Sequence, residues 1–214
     1  MYKKSFFIVF EGIEGSGKSY QAKILYNKLK KKFKNVLLTR EPGGTKSAEI
    51  IRKIILKDYF EKNKKIKFDK YTDTLLYLAA RNEHLKNKII PAIKNKKIII
   101  CDRFVDSTLA YQVYGKKVSL NFINSIHKQI LGRIKPDITF VLKVKKKSFL
   151  KRLRNRKIRN RYDNFPVNFY LKAQNAFLQI SKKSRSHIVF ESSDNTPILQ
   201  KKIFKIIKEK LRIK

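Results

Sequence analysis

The chain has 214 residues, 42% of them hydrophobic, enough for one α/β core of ordinary domain size. Its formal net charge is +37, from 53 Lys and Arg against 16 Asp and Glu. The cations are scattered and mostly Lys in a chain rich in Ile, Asn and Phe, so the excess reads as AT-rich coding bias plus an anionic substrate, and a dedicated nucleic-acid-binding protein is a remote alternative.

No run of 18 apolar residues occurs, which argues against a membrane span. The short apolar run after Lys4 meets Glu11 with no small-residue cleavage site, so export is not expected. Cys101 is the single cysteine, excluding an intrachain disulfide and fitting a reducing, cytoplasmic setting.

In chain order, Phe6–Phe10 is an apolar run predicted as a buried strand. It leads into Gly12-Ile13-Glu14-Gly15-Ser16-Gly17-Lys18-Ser19, which fits G-x-x-x-x-G-K-S/T in full. Glycines there let the backbone approach a polyphosphate, with N–H groups and the positive end of the next helix pointing inward. Lys18 reaches the β/γ-phosphates in such a loop, and the Ser19 hydroxyl reaches Mg²⁺. A helix follows with Ala22, Leu25 and Leu29 on one face.

Val36–Thr39 is the second predicted strand, ending in the polar turn Thr39-Arg40-Glu41-Pro42-Gly43-Gly44-Thr45. Such turns at strand carboxyl ends are where ligands bind in open sheets, although Pro-Gly-Gly also simply turns a chain. Ile50, Ile51, Ile54 and Ile55 predict one helix, and Leu75, Leu76, Leu78 and Ala79 the apolar face of another. Tyr77 and Arg81 share a face of that second helix at i, i+4: a ring that can stack on a base and a guanidinium that can bond its edge, or a structural pair.

The third strand, Ile98–Cys101, ends in Asp102-Arg103. A carboxylate beside a phosphate loop can hold Mg²⁺, and an adjacent Arg can grip a second phosphate. Ser107, Thr108, Tyr111 and Gln112 then recur about one turn apart. A helix over Val118–Leu131 and a strand over Ile138–Val144 follow. Lys145–Arg161, dense in Arg and Lys with little apolar support after Leu153, is expected to be an exposed, mobile excursion. The chain closes with a helix over Phe169–Ile180, a strand over Ile188–Phe190 and an amphipathic helix over Ile198–Leu211.

Strands alternating with helices predict an α/β fold of P-loop NTPase type: three layers, αβα, around a five-stranded parallel sheet, with a basic lid. The donor expected is a nucleoside triphosphate. The chain lacks the N-K-x-D base-reading element of a GTPase, and its size disfavours a motor. A kinase of small metabolites remains.

The succession GIEGSGKS, TREPGGT, YLAAR, DRFVDSTLAYQ and a basic lid resembles bacterial thymidylate kinase (dTMP kinase) over about Phe6 to Phe177. The resemblance implies one nucleoside monophosphate kinase domain over 1–214, with its lid at about 146–164. It implies γ-phosphoryl transfer from ATP to dTMP with Mg²⁺, and a homodimer. Gly12, Ile13, Glu14, Gly15, Ser16, Gly17, Lys18 and Ser19 would hold ATP, and Ser19 and Asp102 the metal. Glu14 matches the acid on the acceptor's 3′-hydroxyl. Arg103, with Arg40 and Arg52 nearby, matches the grip on the acceptor phosphate. Tyr77 stands where a Phe usually stacks on thymine, Arg81 where an arginine reads a thymine carbonyl, and Thr108, Tyr111 and Gln112 line the base and sugar pocket.

No Arg lies inside the phosphate loop, whereas Arg152, Arg154, Arg156, Arg159 and Arg161 lie in the lid, matching a design in which lid arginines serve the transfer. Arg154, Arg156 and Arg161 are the expected contacts. Two departures stand out: Asn160 where the lid usually has Asp, and Gln174 where the next helix usually has Arg. A kinase of another deoxynucleotide or of a deoxynucleoside is the alternative, although a nucleoside kinase has no need of a second phosphate grip.

Overall fold

The computed structural model describes residues 4–57, 67–155, 165–192 and 196–213. Among them run strands β1 (Phe6–Glu11), β2 (Val36–Arg40), β3 (Ile98–Asp102), β4 (Ile138–Lys143) and β5 (His187–Glu191). All pair in parallel, in the order β2-β3-β1-β4-β5. The helices are α1 (Lys18–Lys30), α2 (Lys46–Leu56), α3 (Lys70–His84), α4 (Ile90–Lys94), α5 (Val105–Thr108), α6 (Leu120–Leu131), α7 (Lys146–Arg154), α8 (Val167–Lys182) and α9 (Thr196–Leu211). Wide π-helical turns join α3 to α4 at Leu85–Ile89 and extend α5 through Leu109–Gly115. The three-layer αβα architecture is as the alternation predicts.

β1 shows why its sequence is continuously apolar. Phe6, Ile8 and Phe10 pack on one face against Leu25 and Leu29 of α1 and Leu199, Ile203 and Ile207 of α9. Phe7 and Val9 pack on the other face against Leu85, Ile89 and Ala92. Side chains alternate across a strand, so a strand covered by helices on both faces needs apolar residues at every position. Cys101 is fully buried in the second cluster.

The chain first lays β2 and β3 to one side of β1, then crosses to place β4 and β5 on the other. A crevice opens at the carboxyl ends where this winding reverses. The register sets Asp102 opposite both Phe10 and Arg40, so the turns after β1, β2 and β3 meet there.

Three expectations need correction. Leu75 and Ala79 of α3 are exposed, and its buried face is instead Asp73, Thr74, Leu78, Ala80, Arg81 and His84. Ile50 of α2 is 62% exposed, while Ile55 of the same run is fully buried. Residues 146–154, expected within an exposed excursion, form α7, whose Phe149 is fully buried against Ile13, Val141 and Tyr170. Phe149 supplies the apolar anchor that the charge density hides. The remainder of the expected lid, 156–164, lies outside the described residues.

Candidate functional site

A cleft of about 470 Å³ lies at the carboxyl ends of β1, β2 and β3. All nine residues expected on the acceptor side line it, with Lys18, Ser19 and Asp102.

The loop after β1 is shaped by glycine. Gly12 has φ +136°, and a Cβ there would sit 2.4 Å from the Leu142 carbonyl oxygen, so no side chain fits. Ile13 and Ser16 are fully buried beneath the loop, and Glu14, Gly15 and Gly17 line the cleft. Gly17, at φ 87°, opens α1. Lys18 folds back so that Nζ donates to Ile13 O at 2.7 Å and to Ser16 Oγ at 3.5 Å. Burial, reinforced by the charge of Arg103, lowers its pKa to about 8. The Ser19 hydroxyl donates to Asp102 Oδ2, while Asp102 Oδ1 is buried with no partner among the described residues. A hydroxyl and a carboxylate with an unused oxygen make a donor set that suits a hard divalent cation.

Arg103 occupies the centre. Its backbone takes φ 73°, which costs a non-glycine residue about 1–2 kcal/mol. It is held because its N–H donates to Phe10 O at 2.9 Å. Its guanidinium donates to Gly12 O at 3.0 Å, Ser107 Oγ at 3.1 Å and Glu14 Oε1 at 2.8 Å. Glu14 Oε2 accepts in turn from the Tyr111 hydroxyl at 2.5 Å. Burial pushes the Glu14 carboxyl up, yet Arg103 and Lys18 bring it below the usual carboxylate value. Glu14 is therefore a fixed anion.

Beneath this turn lies Glu11, an acid that the loop pattern does not mark. Its Oε1 accepts from Phe104 N at 2.7 Å and Ser107 N at 3.2 Å, and its Oε2 from Ser107 Oγ at 2.6 Å. Burial, then the charge of Asp106, raises its pKa to about 8.

On the β2 side, Glu49 gathers two arginines. Arg40 Nη2 lies 3.1 Å from Glu49 Oε2, and Arg52 Nε lies 3.9 Å from the same oxygen. Glu49 Oε1 also accepts from Gly44 N at 2.9 Å, and Arg52 Nη1 donates to Pro42 O at 2.6 Å. The i, i+3 spacing to Arg52 is the one sequence signal for Glu49. Arg81 is almost wholly buried: it donates to Glu41 Oε2 at 2.7 Å, Thr108 Oγ1 at 2.8 Å and Phe104 O at 2.8 Å, and it meets His127 Nε2 at 2.8 Å. Burial would raise Glu41, but Arg81 and His84 hold it below its ordinary value. Gln112 is 2% exposed, and its Nε2 has no partner among the described residues.

The basic segment divides. Arg152 lines the cleft and donates to Gly15 O and Ser192 O, both at 2.9 Å, joining the first loop to the end of β5. Arg154 is exposed and does not line the cleft. Two helical positions apart is about 200° around the axis, so α7 cannot turn both toward the loop. Arg156 and Arg161 lie outside the described residues. Gln174, on α8, clamps the backbone of Val144, accepting from its N–H at 2.9 Å and donating to its carbonyl at 3.1 Å.

The family model for thymidylate kinase matches residues 10–203. Among similar proteins, the thymidylate kinase of Wolbachia pipientis wMel is 45% identical over 180 residues, covering 83% of this chain and 85% of that one. The thymidylate kinase of onion yellows phytoplasma (strain OY-M) is 39% identical over 208 residues, covering 96% of each. The crystal structure of thymidylate kinase from Ehrlichia chaffeensis superposes with a TM-score of 0.76 at 32% identity, covering 95% of this chain and 99% of that one. With a matching phosphate loop and a second cationic grip across one cleft, the chain belongs to the thymidylate kinase family.

Proposed function

We propose that the chain transfers the γ-phosphoryl group of ATP to dTMP, giving dTDP and ADP, in the synthesis of dTTP. The observation that carries this reading is the position of Arg103, a half-buried cation held against the phosphate loop by Gly12 O and Glu14, with Arg40 and Arg52 lining the same cleft. Two anions meeting end to end need that arrangement.

The phosphate loop, Lys18 and Ser19 take the triphosphate. Ser19 and Asp102 suit Mg²⁺, which when bound neutralises charge on the phosphate oxygens. Arg103 binds the acceptor phosphate, with Arg40 and Arg52 at its outer edge. Glu14, fixed by Arg103 and Tyr111, accepts from the 3′-hydroxyl. Tyr77 stacks on the base, Arg81 bonds its carbonyl edge, and Thr108, Tyr111 and Gln112 close the pocket. Arg152, with the lid arginines Arg156 and Arg161, supplies positive charge on the donor side, whereas Arg154 points away from it. The attacking atom is already an anionic phosphate oxygen at neutral pH, so no general base is required. What the chain contributes is alignment and neutralisation of spread charge. The same reading makes the protein a cytoplasmic homodimer, with exposed Leu75 and Leu120 on the packed pair α3 and α6 available to a second copy.

ADP release measured across dTMP, dUMP, dCMP, dGMP and thymidine tests the substrate. dTMP should lead, and a faster reaction with thymidine would overturn the reading. Arg103→Ala should lose about 10²–10³ in kcat/KM for dTMP. Unchanged efficiency in a folded variant would remove the proposed geometry.

A further inference from the structure

Arg81 carries five N–H donors in a rigid plane. Four are committed: Nε to Glu41 at 2.7 Å, Nη1 to Thr108 at 2.8 Å and to His127 at 2.8 Å, and Nη2 to Phe104 O at 2.8 Å. Among the described residues, none accepts the fifth, on Nη2. Of the four partners, Glu41 and Thr108 belong to the segments that carry the family resemblance, and Phe104 contributes only a carbonyl. His127 stands apart. It comes from the middle of α6, outside every motif, and is 7% exposed.

The direction of the His127 contact follows from chemistry. A guanidinium nitrogen only donates, so Nε2 of His127 must hold a lone pair and the ring must be neutral. The environment agrees: burial first, then the adjacent Arg81 charge, lower His127 to about 3, with Glu41 the opposing influence. The imidazole is therefore a neutral acceptor at neutral pH. It meets Nη1 beside Thr108, completing the set of acceptors on that nitrogen.

We propose that His127 is a positioning residue for the nucleotide acceptor: its unprotonated Nε2 locks the rotation of the Arg81 guanidinium, so that the one uncommitted N–H is presented to the base carbonyl in the cleft. This rests on the reading of Arg81 as the group that bonds the base. Lacking this acceptor, Nη1 loses one of its two anchors, and the plane can swing toward Phe104, whose ring already lies 5.4 Å from the guanidinium carbon. The effect belongs to the acceptor side, because the hydrogen bond that His127 makes among the described residues is to Arg81.

The test uses the full-length enzyme with three substitutions. His127→Phe keeps a flat ring and removes the acceptor; His127→Gln restores an acceptor oxygen at similar reach; Arg81→Ala tests the underlying reading. Steady-state KM is measured separately for dTMP and ATP, with the dTMP-to-dCMP ratio of kcat/KM and the melting temperature. Loss of one hydrogen bond's worth of ordering predicts that His127→Phe raises KM for dTMP about 10-fold. KM for ATP should stay within about twofold, the dTMP-to-dCMP ratio should fall by a similar factor, and His127→Gln should recover most of both.

If Arg81→Ala impairs dTMP use while His127→Phe leaves KM for dTMP unchanged, the inference fails and the reading of Arg81 stands. If His127→Phe raises both KM values together, or lowers only the melting temperature, His127 is merely structural and the inference also fails. Should Arg81→Ala leave KM for dTMP unchanged, the reading itself falls and takes the inference with it.

Discussion

Glu11 sits where three requirements conflict. The turn that carries Arg103 needs an acceptor for Phe104 N and Ser107 N, a carboxylate supplies it, and burial with Asp106 nearby penalises the charge. The compromise is a carboxyl that accepts from the Ser107 hydroxyl at 2.6 Å, while burial holds its pKa well above the ordinary value. Its folded pKa of about 8 lies above the ordinary value of 4.5. A carboxyl raised on folding contributes stability that is whole below pH 4.5 and is lost as pH rises through about 8. Glu11→Gln keeps an acceptor oxygen and cannot ionise. Thermal melts at pH 5 and pH 8.5 should therefore show the wild type losing ground to Glu11→Gln as pH rises. The gap should change by several degrees, since each kcal/mol moves Tm by about 2–4 °C in a chain of this size. A gap independent of pH would mean that Glu11 is already ionised in the fold. The cluster also shows what motif spacing conceals. Glu11, Glu49, His84 and His127 touch no expected ligand, and only the folded turns bring them behind Arg103, Arg40 and Arg81.

Among the elements, the five strands could be read within a residue or two: in β1, β3 and β4 burial on both faces writes itself as an unbroken apolar run, and the partly buried edge strands β2 and β5 are shorter apolar runs. The expected acceptor-side residues all line one cleft, those in the turns after the strands joined by Arg52 of α2 and by Tyr77 and Arg81 of α3. Helix faces were not readable in the same way. In α3 the buried stripe includes Asp73, Arg81 and His84, polar groups that reach partners only in the tertiary fold; Arg81 and His84, for example, both bond Glu41. Apolar periodicity cannot find a face held by hydrogen bonds. In α7 the failure runs the other way: five of nine residues are Lys or Arg, and one phenylalanine decides the packing. Phe149 stacks near Tyr170, ring centroids 5.1 Å apart, and is fully buried. Phe149→Ala should cost about 3–5 kcal/mol in urea unfolding. Arg154→Ala, two turns' charge notwithstanding, should stay within about 0.5 kcal/mol. Equal small effects would mean that α7 is not docked.

Across the whole molecule, charge is distributed unevenly in depth. There are only 16 acids against 53 cations, and several of the acids are withdrawn from the surface. Glu11, Glu41 and Asp73 are at most 5% exposed, and Glu14 is largely covered by Arg103. The outer shell is thus more positive than the net value suggests, while the pairs that hold the cleft are shielded. Repulsion among scattered surface lysines acts over the Debye length, about 10 Å at 0.1 M salt, and opposes the compact state. Buried pairs such as Arg81 with Glu41 are screened far less. The two contributions predict opposite salt responses. Where surface repulsion dominates, raising NaCl from about 20 mM to about 500 mM stabilises the protein, because it weakens repulsion more than it weakens the interior pairs. Where ion pairing dominates, the same salt destabilises. With this excess of cations the melting temperature should climb steadily with NaCl, and the chloride and the fluoride of sodium should act alike, since screening depends on ionic strength and not on a bound anion. A rise with one salt alone would point to anion occupancy of the cleft, and a flat or falling curve would show that the lysines lie too far apart to repel.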